Sequence, residues 1–314
     1  MSFVVAAMLA SAAMAQDITI ERDGLDGPLA GTLEGTTDTG QPGVVIIPGS
    51  GPTDRDGNNP GGVLAGSYRY LAQGLAEAGI ASIRMDKRGM FESASAIADG
   101  NDVTIEDYAG DALAWVAAMR ERTGGDCAWL AGHSEGGIVA LRAAVEAPEG
   151  LCGVVLIAAP GRPVGTILRE QLAANPANAI ILEEAERHIA SLEAGEAVTE
   201  PVHPGLAPLF APQLQTFLLS LFAQDPAALI ARIDLPVLIL QGREDLQVTE
   251  ADAQVLAAAN PAARLLLLEG VNHVLKSVPE GDRGANLAAY ADPNLPLAEG
   301  VMSAIVEFVT NADR

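Results

Sequence analysis

Basic residues are scarce in this chain. Its 314 residues hold 18 Lys and Arg against 41 Asp and Glu, a formal net charge of −23. Nucleic-acid binding wants a basic face, and anionic lipid attracts basic segments, so this balance argues against both partners. The acid excess is read as a solvated surface. Aromatic residues are also few, at 4%, while hydrophobic residues reach 49%. A sizeable core is therefore expected, built mainly of Ala, Leu, Val and Ile, in one large α/β domain or two ordinary ones. Long apolar runs are missing as well: beyond the first residues each is interrupted by Gly, Pro or charge, so no membrane insertion is expected. Histidine is limited to four. No His/Asp/Glu grouping has metal-ligand spacing, which leaves a metal site without support.

What is present begins with an apolar N-terminus, Met1 to Gln16, that ends in Ala13-Met14-Ala15. This is an A-x-A cleavage pattern, although the basic n-region of a leader is absent. Residues 1–15 are expected to be a signal peptide cleaved near Ala15, giving a secreted or periplasmic chain; a helical N-terminal extension is the competing reading. The two cysteines, Cys127 and Cys152, each start a predicted strand, and those strands flank a single helix. A β-helix-β unit usually sets its strands side by side and parallel, which brings both thiols within reach of a bridge in an oxidising compartment. Two buried free thiols fit the sequence nearly as well. Neither cysteine looks catalytic.

Residues 18 to 34 alternate loosely and are broken by glycines, which predicts an antiparallel opening hairpin. Buried strands and helices then alternate. Strands are predicted at 44–47, 80–85, 128–131 and 154–157, and helices at 68–78, 105–120 and 138–145. This order implies a mostly parallel central sheet with helices on both faces. The alternation lapses from about Arg162 to Ile233, where helical patterns at 167–173, 180–192 and 214–221 are divided by Pro176, Pro201, Pro204 and Pro208. Residues 162–233 are read as a helical cap insertion, part of which lines a substrate pocket. The core is then 16–161 and 234–314, resuming with a strand at 236–240, a helix at 251–259, a strand at 264–268 and a final helix at 297–309.

Gly132-His133-Ser134-Glu135-Gly136 is the most informative stretch. A strand-like run stops at a glycine and a helix-like run begins two residues later, which is the setting of a nucleophile elbow. The flanking glycines let the backbone turn sharply, and Ser134 is presented at a helix N-terminus. A serine hydroxyl needs a base, and the base an orienting acid. Of the four histidines, His133 sits inside the elbow with its side chain directed elsewhere. His188 lies on a charged helix face and is expected to be solvated. His203 lies in a Pro-flanked loop. His273 follows the strand at 264–268, at the sheet edge where open α/β folds place chemistry, and is the expected base. Asp245, just after the strand at 236–240, is the expected acid, with Glu244 as fallback. Asp234 precedes its strand, and Asp252 reads as a first-turn helix acid. The oxyanion donors are expected to be the backbone N–H of Glu135 and that of Ser50 in Pro48-Gly49-Ser50-Gly51-Pro52, with Gly49 or Gly51 as alternatives. The Glu135 side chain is expected to be structural.

Together these residues resemble the α/β-hydrolase superfamily over nearly the whole mature chain. Within it, the run from Pro48 to Asn58 looks like the G-S-G-P-x-D-R-D-G-N loop of a bacterial esterase subgroup of the serine aminopeptidase-like (S33-type) hydrolases. Gly132 to Gly137 and Val271-Asn272-His273 look like its elbow and its histidine loop. The resemblance implies a serine carboxylesterase acting on small-molecule, short-chain acyl esters through Ser134, Asp245 and His273, with no cofactor. Asp86-Lys87-Arg88-Gly89 fits its D-x-R-G turn, but Met90-Phe91-Glu92-Ser93 departs from the usual V-G-x-S; that loop is expected to border the site, so the departure bears on substrate preference and not on the three catalytic residues. Asp54, Arg55 and Asp56 either hold the oxyanion loop by ion pairs or touch substrate. The alternative functions are an amidase or aminopeptidase using the same three residues, and a non-catalytic binding protein on the same fold. Oligomeric state is not readable.

Overall fold

The computed structural model describes residues 15–37, 39–146 and 149–311. The leader expected over residues 1–15 lies outside them except for Ala15.

The sheet has eight strands in the order β1-β2-β4-β3-β5-β6-β7-β8. These are β1 (Gln16–Ile20), β2 (Leu29–Glu34), β3 (Val44–Ile47), β4 (Ser82–Met85), β5 (Ala128–His133), β6 (Leu151–Ile157), β7 (Val237–Gly242) and β8 (Arg264–Leu268). β1 and β2 form the expected antiparallel hairpin, Ile20 opposite Leu29, and β2 runs antiparallel to β4. From β4 to β8 every pairing is parallel.

Parallel strands covered on both faces read as unbroken apolar runs, and the side-chain period of two sorts them between the faces. In β3, Val45 and Ile47 enter one core while Val44 and Ile46 enter the other. Val154 and Leu156 of β6 join the first; Val155 and Ile157 join the second. The two tryptophans divide in the same way, Trp115 to the first core and Trp129 to the second, where Trp129 meets the Phe308 ring edge-on at 5.4 Å. Helices α1 (Ser67–Glu77), α2 (Ile105–Thr123) and α3 (Glu135–Glu146) connect the early strands.

Between β6 and β7 lie five α-helices and no strand: α4 (Val164–Ala173), α5 (Leu182–Glu193), α6 (Ala207–Phe210), α7 (Gln215–Phe222) and α8 (Pro226–Ile230). They enclose an apolar cluster of their own around Leu172, Ile189, Leu206 and Phe210. His188, expected in solvent, is instead buried, 5.4 Å from the Phe210 ring. The cause is amphipathic spacing: Ala185, His188, Ile189 and Leu192 form the buried stripe of α5, and the charges occupy the rest. The chain closes with α9 (Glu250–Ala259), α10 (Arg283–Ala288) and α11 (Val301–Asn311). The last starts later than Leu297 because Gly300, at φ 90°, breaks the backbone just before it.

Cys127 and Cys152 are bridged, across a sequence separation of 25 with Cα atoms 5.2 Å apart. The bridge ties the start of β5 to that of β6, away from the strand ends that carry the serine. Replacing both cysteines with alanine is expected to lower unfolding free energy by about 3 kcal/mol, from the loop closed in the unfolded chain. Urea denaturation of the oxidised protein and the double variant measures this.

Candidate active site

The C-terminal ends of β3, β5, β7 and β8 open on one edge of the sheet, so the loops that follow them meet there. A cavity of about 150 Å³ lies at this edge, lined among others by Gly49, Ser50, His133, Ser134, Gln247, His273 and Tyr290.

Ser134 follows β5 directly. Its φ is 54°, left-handed for a non-glycine residue, a conformation that costs free energy and is held only by its surroundings. Its N–H donates to Ile157 O at 2.9 Å, and its carbonyl accepts from Gly137 N at 2.9 Å, opening α3. The neighbouring glycines are required by space. A Cβ on Gly132 would lie 2.1 Å from Gly136 O, and one on Gly136 would lie 2.5 Å from Ile47 O. Gly49 approaches the serine so closely that a Cβ there would lie 3.3 Å from Ser134 Cβ.

His273 and Asp245 come together as their positions suggested: Nδ1 of His273 lies 2.7 Å from Asp245 Oδ2. The other carboxylate oxygen accepts from the N–H groups of Gln247 at 2.7 Å and Val248 at 2.9 Å, while Gln241 Nε2 reaches Oδ2 at 3.2 Å. An acceptor so placed needs Nδ1 of His273 to carry a proton, which leaves Nε2 free to take one. Glu244 is turned away and accepts from Gly281 N at 3.0 Å. Asp252 caps α9 and pairs with Arg162. Of the two proposed oxyanion positions, neither the Ser50 nor the Glu135 N–H has an acceptor among the described residues. The Gly49 N–H, by contrast, is committed to the Tyr68 hydroxyl at 3.0 Å.

That hydroxyl belongs to a chain of bonds that the sequence did not disclose. His133, whose side chain was expected to point elsewhere, sits under the site. Its Nε2 lies 2.8 Å from the carbonyl of His273 and its Nδ1 2.8 Å from Tyr68 Oη. A carbonyl can only accept, so Nε2 carries the proton, Nδ1 accepts from the Tyr68 hydroxyl, and that oxygen accepts from Gly49 N–H. One histidine thus links the serine turn, the histidine loop and the loop after β3. Burial, and then the neighbouring His273, push its pKa down to about 3. With the folded pKa below the unfolded value, unfolding takes up a proton as pH falls below the ordinary histidine range, so this contribution to stability is present near neutrality and lost toward pH 3. Replacing His133 with phenylalanine should therefore remove about one proton from the uptake on unfolding between about pH 6 and 4; urea titrations of both proteins across that range measure it.

Asp54, Arg55 and Asp56 do not line the cavity; they line a separate groove with Asp17, Arg84 and Glu92. Asp54 Oδ1 accepts from the N–H groups of Asp56 and Asn58, Arg55 Nε donates to Asp86 Oδ2 at 3.0 Å, and Asp56 pairs with Arg84. These bonds fasten the loop after β3 to the end of β4. Phe91 and Glu92 of the divergent turn, expected to border the site, belong to that groove and not to the cavity. Nor does any described residue of 162–233 line the cavity, where the cap was expected to contribute.

Comparison with known proteins bears on the fold. The esterase from Thermogutta terrifontis superposes with a TM-score of 0.57 at 19% identity, covering 94% of this chain and 98% of that one. VinJ gives 0.60 at 19% over the same shares, and Est1E from Butyrivibrio proteoclasticus, with ferulic acid bound, 0.56 at 19% over 87% and 95%. This chain has the α/β-hydrolase fold. Its hydrolase sheet carries Ser134, Asp245 and His273 at strand ends that a single edge shares. A family model described as serine aminopeptidase, S33, matches residues 62–203, a span that includes Ser134 and stops short of Asp245 and His273. Esterase EstD of Thermotoga maritima is 28% identical over 250 residues, 75% of this chain; the chain spans 55% of that relative's length. Among the described residues there is no grouping of His, Cys, Asp or Glu able to hold a metal ion, and no helix is long and apolar enough to cross a membrane.

Proposed function

We propose that the protein is a serine carboxylesterase for small esters. The observation that carries this reading is that the left-handed Ser134 and His273 line one cavity while His273 Nδ1 lies 2.7 Å from Asp245 Oδ2. Ser134 Oγ attacks the ester carbonyl as His273 Nε2 takes its proton. Asp245 holds the imidazole in the required tautomer and stabilises its cation. The N–H groups of Ser50 and Glu135 receive the oxyanion, and His273 protonates the departing alcohol. Water then enters and removes the acyl group by the same route.

The small cavity favours short acyl groups. A value of kcat/KM that does not rise from p-nitrophenyl butyrate to the octanoate is expected, since each methylene left outside forgoes the burial gain of about 0.8 kcal/mol that a deeper pocket would add; a rising series would overturn this assignment. The aminopeptidase alternative needs a carboxylate to receive a substrate ammonium. Among the described residues no Asp or Glu lines the cavity, which favours esters. Parallel assays on p-nitrophenyl esters and amino-acid p-nitroanilides separate the two.

Residues 162–233 are assigned as a cap on a core of 16–161 and 234–314. Export after cleavage near Ala15 is proposed from Ala13-Met14-Ala15 and from the Cys127–Cys152 bridge, which an oxidising compartment favours.

A further inference from the structure

Lys87 is a cation in a place that disfavours cations. It follows β4, is 2% exposed, and its ammonium stands 5.4 Å over the Tyr108 ring. Burial lowers its pKa, opposed by the charge of Glu135. Taking an ammonium out of water is costly unless it is paired and hydrogen-bonded. Among the described residues its ammonium has two polar partners, Gly49 O at 2.8 Å and Glu135 Oε1 at 3.4 Å. Among the described residues neither Lys87 nor Glu135 has another ion-pair partner.

Those two partners belong to the two oxyanion positions. Gly49 O and Ser50 N–H are ends of one peptide unit, and in a trans peptide they point in opposite directions. A cation holding the oxygen therefore fixes the direction of the Ser50 N–H. It also draws electron density toward the carbonyl, which strengthens the N–H as a donor. A glycine cannot hold its own conformation. Gly49 needs external ties, and it has one at each end: the Tyr68 hydroxyl on its N–H and Lys87 on its carbonyl. The same ammonium holds the side chain of Glu135, whose backbone N–H is the other donor.

We propose that Lys87 is a positioning residue for the oxyanion site, aligning and polarising the Gly49–Ser50 peptide while anchoring Glu135. This rests on the serine-hydrolase reading of Ser134. The role is absent in the ground state of the ester and is exerted as charge develops, so it belongs to kcat.

The test uses the Lys87→Met variant and the double variant Lys87→Met/Glu135→Gln, since the single change strands a buried carboxylate and lowers stability. Three readouts are taken below each variant's Tm: kcat and KM on p-nitrophenyl acetate, the rate of Ser134 labelling by a fluorophosphonate, and Tm itself. A whole oxyanion donor is worth roughly 10²–10³ in kcat, so misalignment of one should cost on the order of 10- to 100-fold. The expected result is that loss in kcat and in labelling rate for both variants, with KM within about 3-fold of wild type and Tm recovered in the double variant. Rates within about 3-fold of wild type in the folded double variant overturn the proposal, as does a raised KM at unchanged kcat. A wild type that labels at Ser134 but hydrolyses no ester defeats the ester reading alone, because labelling still reports on Lys87. A wild type that does neither defeats both.

Discussion

Ser134→Ala lowers kcat on p-nitrophenyl acetate by on the order of 10⁵- to 10⁶-fold, with the fold intact. The substitution deletes one oxygen and nothing else the turn depends on. The hydrogen bonds that hold this turn run through the backbone, from Ser134 N to Ile157 O and from Gly137 N to Ser134 O. Alanine meets the same steric cost at φ 54° as serine, so the strain of the elbow is unchanged. What remains is a cavity with oxyanion donors and a base but no nucleophile. KM should move little, because the ground-state ester gains little from the hydroxyl. Residual kcat within about 100-fold of wild type would mean that water or another group attacks, and the acyl-enzyme route would be wrong.

Asp245→Asn lowers kcat by about 10⁴-fold, and the cause is a tautomer, not a lost charge alone. Oδ1 receives two backbone N–H groups, from Gln247 and Val248. The amide oxygen of an asparagine must take that position, because an NH₂ there would face two donors. The NH₂ is then forced toward His273 Nδ1, now 2.7 Å from Asp245 Oδ2. Facing a donor, Nδ1 gives up its proton and Nε2 carries it, so the imidazole presents N–H to Ser134 and cannot act as base. The same NH₂ also confronts Gln241 Nε2, so a modest fall in Tm is expected alongside. Steady-state kinetics measures the loss; a decrease of less than about 30-fold would show that Asp245 does not set the tautomer.

Most of the sheet could be read from the sequence because its inner parallel strands, β3, β5, β6 and β7, are buried on both faces and so appear as short apolar runs. β8 lies at the residues expected for it, Arg264–Leu268. Prolines misled. Pro208 signals a break in the helical pattern, yet it and Pro226 each sit in the first turn of a short helix, α6 and α8, where the missing N–H costs nothing. α10 leaves little trace in the sequence, being six residues long with its Asp282 cap as its chief signal.

In the site, Ser134, Asp245 and His273 were legible because each follows a strand on the shared edge. His133 was not, because a residue inside an elbow motif carries no signal for where its ring goes. The partners that fix it, Tyr68 on α1 and the His273 carbonyl, lie 65 and 140 residues away in sequence. Lys87 was hidden for the same reason: within Asp86-Lys87-Arg88-Gly89 it is one basic residue in a charged turn. Only the fold brings it against Gly49 and Glu135.

The central claim is that Ser134 carries the acyl group during turnover. The direct measurement is rapid acid quench of the wild type with p-nitrophenyl acetate, followed by peptide mass spectrometry beside the Ser134→Ala variant. The account predicts one acetyl group on the peptide containing Ser134, formed in step with a burst of p-nitrophenol and absent from the variant. Steady release of p-nitrophenol with no acetylated peptide under conditions that trap it, or acetylation at the same rate in the variant, would contradict the account.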